Sequence, residues 1–290
     1  MTTYAVTGAT GHLGRLVTEE LLSRGVPASD LVAIVRTPGN AADLAARGVQ
    51  VREGDYSRPE TLPGALAGVQ RLLLISGSEP GGRVAQHTAV IDAAKGAGVE
   101  RIAYTSILNA GTTSNPLAGE HEATEAALRA SGIPVTLLRN GWYTENYTDR
   151  LDEYLQRGEI IGAAAQGKVS AAPRADYAAA AATALLSDDD GDTVQELGGT
   201  AFDLVELAAT VSDAAGAQVS YRGLPVEQYA AELRQTGLDA GTAGFVAGLD
   251  ASIAAGDLQT DSDDLARLLG RPTTPLADVV RAALGTPQGR

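Results

Sequence analysis

The sequence predicts the α/β class: a doubly wound parallel sheet with helices on both faces, carrying a smaller α/β lobe at its C-terminal end. Three observations point there. A glycine-punctuated turn, Gly8-Ala9-Thr10-Gly11-His12-Leu13-Gly14, joins a short apolar strand to a helix at the very start of the chain. Short apolar runs then alternate with helical stretches as far as Arg139, the rhythm of βα units closed by right-handed crossovers. Past 150 the strand signals become short and separated. The reading is a Rossmann-type dinucleotide-binding domain over 1–150 and a smaller substrate lobe over 151–290. No repeat or low-complexity linker divides them, so the lobes should be interleaved.

Each element follows from its residues. Tyr4 to Val6 forms the first strand, and Leu13, Leu16, Val17, Glu20 and Leu21 take up helical spacing after the turn. In such a turn the first glycine reverses the chain, the second admits backbone close to a pyrophosphate, and the third lets the helix pack tightly on the sheet. Free N–H groups and aligned peptide dipoles at the helix start favour an anion. The spacing is G-x-x-G-x-x-G rather than G-x-G-x-x-G, and its position one strand from the N-terminus gives it weight. Leu31 to Val35 is a continuous apolar run, as in a buried parallel strand, closed by Arg36. At that point an acidic side chain holds the ribose 2′-hydroxyl of NAD, whereas a cation accommodates the extra phosphate of NADP. Arg36 therefore points to NADP.

A helix over 40–47 leads to a strand over 49–53 and then to Asp55, placed either to accept from an adenine amino group or to cap a helix over 59–67. The strand over 71–75 runs into Ser76-Gly77-Ser78, a turn small enough to let a dinucleotide pass beyond the carboxyl ends of the strands. A helix over 82–97, a strand over 101–106, a helix over 119–131 and a strand over 135–139 continue the alternation. Asn140-Gly141-Trp142-Tyr143-Thr144-Glu145-Asn146-Tyr147 then gathers the only tryptophan and two of nine tyrosines at a strand end. These rings either wall a flat ligand or pack as core between the halves. Beyond 150, strands are expected at 159–161, 168–171, 194–197 and 218–221, and helices at 174–186, 203–215, 225–235, 239–255 and 274–284. Asp176 is placed to cap the first of those helices, and the acidic run Asp188 to Asp192 reads as a solvated turn.

Composition narrows the function. The 290 residues contain no cysteine, which excludes disulfides, thiolate metal sites and cysteine nucleophiles. Three scattered histidines, His12, His87 and His121, make no metal site. The formal net charge is −14, with 12 basic and 14 acidic residues in 1–148 but 10 and 22 in 149–290. Lysine occurs only at Lys95 and Lys168, so non-specific nucleic-acid binding is disfavoured. With no basic leader and no run of membrane-spanning length, the expectation is a cytoplasmic protein that avoids membranes. A homodimer is left open.

Particular stretches carry a family resemblance. They are Val6–Gly14 (VTGATGHLG), Ala33–Arg36 with Pro38, Leu72–Ser76 with Glu79, Tyr104-Thr105-Ser106, and Glu120-His121-x-x-Thr124-Glu125. Leu137–Tyr147 (LLRNGWYTENY), Arg174–Ala179 (RADYAA) and Gly270-x-Pro272-Thr273-Thr274 complete the set. On these the chain resembles NmrA-like atypical short-chain dehydrogenases/reductases, most narrowly the bacterial NADPH-dependent quinone oxidoreductases. The likeness covers almost the whole chain, and LLRNGWYTENY and RADYAA are its specific parts. It implies NADPH binding by residues 8–14, Arg36, the 76–78 turn, the 140–145 turn (Asn140, Gly141, Trp142 and Tyr143) and the 172–178 segment with Arg174. It also implies reduction of a quinone.

The residues agree with that acceptor. Common short-chain dehydrogenases protonate substrate with a tyrosine activated by a lysine four residues on, yet none of the nine tyrosines here has lysine at that spacing. A ketone benefits from a positioned donor worth about 10²–10⁴ in rate. A quinone needs less, because hydride addition gives a delocalised hydroquinone anion that water protonates, so alignment supplies most of the acceleration. Asn140, Tyr143 and Tyr147 are then expected to orient cofactor and substrate. His121 is the candidate if any side chain donates a proton, since it stands on the helix that carries the catalytic pair in related enzymes. The alternatives are a redox sensor that binds the dinucleotide without turnover, and a reductase of azo or triphenylmethane dyes.

Overall fold

A computed structural model describes residues 2–77, 79, 81–189 and 191–285. The expected contact at Ser78, and Asp190 of the acidic run, lie outside the described residues. The first half alternates as its sequence predicts: β1 (Tyr4–Thr7), α1 (His12–Ser23), β2 (Leu31–Val35), α2 (Ala42–Ala46), β3 (Gln50–Glu53), α3 (Leu62–Leu66), β4 (Arg71–Leu74), α4 (Arg83–Ala97), β5 (Arg101–Ile107), α5 (Ala118–Ser131) and β6 (Val135–Asn140). The second half adds α6 (Glu145–Thr148), α7 (Leu151–Arg157), β7 (Glu159–Gly162), α8 (Arg174–Leu186), β8 (Thr193–Leu197), α9 (Leu204–Ala215), β9 (Ser220–Gly223), α10 (Val226–Gln235), α11 (Ala240–Ala254), α12 (Asp264–Leu269) and α13 (Leu276–Gly285).

Seven strands form one parallel sheet in the order β3-β2-β1-β4-β5-β6-β8. The order reverses between β1 and β4, which opens a crevice at their carboxyl ends. Alternate residues of each strand feed opposite cores, as a period of two dictates. Val6, Ala33, Val35, Leu73, Ala103 and Leu138 meet α1, α8 and α12, while Ala5, Val32, Ile34, Leu72, Leu74 and Ile102 meet α3, α4 and α5. The alanines of α8 at 178, 180, 181, 182 and 184 are all buried, and their small size brings that helix close to α1 and the sheet.

The lobe is built on a two-stranded parallel sheet, β7 with β9. Its core gathers Tyr147, Tyr154, Phe202, Leu207, Val211 and Val280 from α6, α7, the stretch before α9, α9 itself and α13. α8, β8 and α12 pack with the large sheet, while α6, α7 and β7 before them, α9 to α11 between β8 and α12, and α13 after them lie on the side of the small sheet.

Three expectations are corrected here. The strand near 194–197 is not a lobe strand but the seventh strand of the large sheet, parallel to β6 from Thr136↔Thr193 to Asn140↔Leu197. Residues 168–171 form no strand. Their backbone groups turn to different neighbours, Val169 to Phe202 in an isolated bridge, Ser170 N–H to Leu258 O and Ser170 O to Gly199 N–H, so no ladder develops. Asp176 does not cap α8. It lies inside the first turn, fully buried, and its carboxylate accepts from Arg271 Nη2 at 2.7 Å, from Thr274 N–H at 2.7 Å and from Thr274 Oγ1 at 3.0 Å. Among the described residues no helix is long and apolar enough to cross a membrane.

Candidate functional site

The site grows from the start of α1. Gly8 sits at φ +58°, a conformation that side chains rarely adopt, and a Cβ at Gly14 would lie 2.2 Å from Gly8 O. The turn takes its shape from the left-handed backbone at Gly8, and the helix can touch it only because Gly14 lacks a side chain. Gly11 precedes α1 with no side chain capping the first turn, and that turn carries no acid. Asp203 and Asp239 cap α9 and α11, whereas α1, like α4, α5, α8 and α10, has no side-chain cap. The start of α1 is thus left open to an external anion, as a pyrophosphate requires.

A cleft of about 880 Å³ opens in front of it, lined by Gly8, Thr10, Gly11, His12, Leu13 and Gly14 on one side and by Arg36, Asp55, Ser76 and Gly77 on the others. Ala9 is the exception within the turn: its methyl is buried in the core and its N–H donates to Ile34 O at 3.3 Å. Arg36 is largely exposed and forms an ion pair at 3.6 Å with Glu79. Asp55 caps no helix. Its carboxylate accepts from Ser57 N–H at 2.9 Å and Arg58 Nε at 3.3 Å, so the acid faces the cleft from a local turn. Thr37, Asn40, Tyr56, Ser57, Arg58 and Gln86 also line the cleft. They are loop and helix residues without a spacing that sequence reasoning could have used.

A second group stands at the end of β6, beside the lobe and off the cleft lining. Gly141 donates to Leu197 O at 2.7 Å, and a Cβ there would meet Leu197 O and Ser170 O at 2.9 Å. Trp142 packs toward the lobe core, as the core reading of that ring has it. The half-buried Tyr143 ring meets Tyr177 edge-on at 5.3 Å, with the Arg174 guanidinium 5.0 Å from its centroid. Burial raises the Tyr143 phenol pKa, and a hydrogen bond with Asn140 works against that rise. Asn140 Oδ1 is buried with no partner among the described residues. Arg174 donates its N–H to Glu145 at 2.9 Å, with Nη1 3.7 Å from Asp149. Asn140, Tyr143 and Arg174 therefore form one constellation. Tyr147 stands apart in the lobe core, its ring 6.0 Å from Phe202 and its hydroxyl without a partner among the described residues.

The place where an acid would be sought is already occupied by internal bonds. His121 is buried with Nδ1 2.8 Å from Tyr104 Oη, and burial, helped by the Arg83 charge, pushes its pKa down to about 3. It is a neutral imidazole at ordinary pH. Ser106 Oγ donates to Glu125 at 2.6 Å, and Glu125 also accepts from Arg139 Nε at 2.9 Å and Nη2 at 2.8 Å. Burial pulls the Glu125 carboxyl up, but Arg139 and Ser106 more than offset it and leave the group below its ordinary value. His87, uninformative in the sequence, accepts from Gly77 N–H at 3.0 Å. No cluster of metal-ligating residues occurs among the described residues.

Comparison with known proteins gives the family and the relatives of the fold. The NAD(P)H-binding family matches residues 8–188. The quinone oxidoreductase 2 of Escherichia coli (strain K12) is 50% identical over 277 residues, which span 95% of this chain and 96% of the relative. Among solved structures, the NADPH-dependent quinone oxidoreductase of Escherichia coli complexed with NADPH has a TM-score of 0.94 at 48% identity, covering 98% of this chain and 100% of that one. The Citrobacter sp. triphenylmethane reductase complexed with NADP(H) has a TM-score of 0.92 at 39% identity, over 97% of this chain and 100% of that one.

Proposed function

Since the chain belongs to the NAD(P)H-binding family, we propose that it is an NADPH-dependent quinone oxidoreductase. The observation that carries the reading is the cleft of about 880 Å³ that joins the uncapped start of α1 to the exposed Arg36. When bound, NADPH supplies a hydride. The chain's own residues bind and align. The N–H groups of the first turn of α1 hold the pyrophosphate, Arg36 takes the 2′-phosphate, Asp55 accepts from the adenine, and the Ser76–Gly77 turn leaves room beside the sheet. Asn140 and Tyr143 border the acceptor. Tyr104 and Ser106 are committed to His121 and Glu125, so no side chain serves as obligate acid and water protonates the product.

The test is a fluorescence titration of the chain with NADPH, followed by NADPH consumption with and without a simple benzoquinone. Tight binding and quinone-dependent consumption are expected. An empty protein at saturating NADPH would sink the whole reading; binding without consumption across several quinones would leave only a redox sensor. A second acceptor has its own support in the likeness to the Citrobacter triphenylmethane reductase. Both acceptors are flat and conjugated, and the ratio of kcat/KM for a benzoquinone and a triphenylmethane dye separates them.

A further inference from the structure

The Glu120-His121-x-x-Thr124-Glu125 stretch supplies no acid, yet two of its residues reach toward the cofactor cleft by a different route. The turn after β4 is held group by group. Ile75 N–H donates to Thr7 Oγ1 at 2.9 Å and Ser76 N–H to Thr105 Oγ1 at 2.8 Å. Gly77 N–H donates to His87 Nε2 at 3.0 Å, and Gly77 O accepts from Arg83 Nε at 2.9 Å. Both of these side chains are buried, and both are braced from α5. Arg83 Nη1 pairs with Glu120 Oε2 at 3.1 Å, while Glu120 Oε1 accepts from Gly81 N–H at 3.0 Å. His87 Nδ1 stands 3.1 Å from Thr124 Oγ1, whose hydroxyl donates onward to Glu120 O at 2.8 Å.

These bonds fix the proton on His87. Nε2 accepts from an amide and must be bare, so the hydrogen is on Nδ1 and donates to Thr124, whose own hydrogen is already directed at Glu120 O. The chain of donors runs one way only with a neutral imidazole. We propose that His87 and Arg83 are positioning residues for the dinucleotide: by gripping the amide and the carbonyl of Gly77 they set the wall of the cleft that lies against bound NADPH. The proposal rests on the cofactor assignment above. The groups that face His87 are Arg83 on its own helix, Tyr56 and Tyr104 with ring centroids at 5.9 and 5.5 Å, and His121 and Thr124 on α5, with the Glu120 carboxylate behind Arg83. Burial and the Arg83 charge lower the His87 pKa to about 4. Protonation there removes the acceptor for Gly77.

The experiment compares wild type, His87→Leu and His87→Gln, the last of which returns an acceptor oxygen near the position of Nε2. Expected for His87→Leu is a rise of about tenfold in KM and in the dissociation constant for NADPH, with kcat at saturation within about twofold. His87→Gln should recover most of the affinity. In wild type the dissociation constant should climb as pH falls below about 5, and this limb should be absent in His87→Gln. The proposal is overturned if His87→Gln binds as poorly as His87→Leu, or if the acid limb survives the glutamine. A wild-type protein that takes up no NADPH at any pH removes the cofactor assignment itself, an outcome distinct from either.

Discussion

Arg36 pairs with Glu79 where both side chains are well exposed, and such pairs are worth about 0–1 kcal/mol. Exchange of that carboxylate for a phosphate is therefore cheap, and the guanidinium fork suits the 2′-phosphate. Arg36→Ala should raise KM for NADPH about tenfold or more and leave KM for NADH within about twofold; equal effects would remove the assignment. Asp250 supports a second prediction. Its Oδ2 accepts from Ala163 N–H at 2.6 Å, but burial raises its pKa from 3.8 to about 6. A carboxyl whose folded pKa lies above its unfolded value favours the fold when protonated, and that advantage is lost as pH rises from about 4 through about 6. Asp250→Asn keeps the acceptor and removes the charge, so thermal melts at pH 8 should gain on the order of 1–2 kcal/mol, with no gain near pH 4. Arg36 was legible because it ends a strand. Asp250 was not, because its neighbours come from β7 and the helices around it rather than from its own segment.

At the scale of elements, the glycine turn is the most constrained joint in the fold. Gly14→Ala puts a methyl 2.2 Å from Gly8 O, a backbone atom with nowhere to move, so α1 must shift from the sheet. Urea unfolding should lose about 1–3 kcal/mol, together with NADPH affinity. On α5, His121→Gln should lower stability through Tyr104 yet leave quinone turnover within a few-fold; a loss above about a hundredfold would restore an acid role. Strands buried on both faces read clearly from sequence as apolar runs. β8 was harder, since Thr193-Val194-Gln195-Glu196-Leu197 is a half-exposed edge strand with polar residues along it, and nothing local says that it pairs with β6. The bonds of α5 were out of reach for a related reason: its residue types allow acid chemistry, while their partners Arg83, Tyr104 and Ser106 come from distant segments.

Over the whole molecule, two histidines are buried in the neutral form, with pKa values near 4 and 3 against an ordinary 6.5. Because the unfolded chain takes up those protons first, stability is intact above about pH 6.5 and erodes as pH falls toward 4. Each histidine accounts for on the order of 3 kcal/mol across that range. The unfolding free energy of His87→Gln and His121→Gln together should fall less steeply over the same interval; an unchanged slope would show that other groups dominate. Class, sheet and cleft were readable because glycines, strand ends and βα rhythm are local signals. The closing of the sheet by β8 and the inward turn of Tyr147 depend on long-range packing.

The path of the chain has a mechanical consequence. After β6 it enters the lobe, returns for α8 and β8, leaves again for α9 to α11, comes back as α12 and departs a last time into α13. The two bodies are laced together, with no single tether to sever. A protease nick in any one of these links should leave both pieces travelling as one particle on a sizing column, parting only in denaturant.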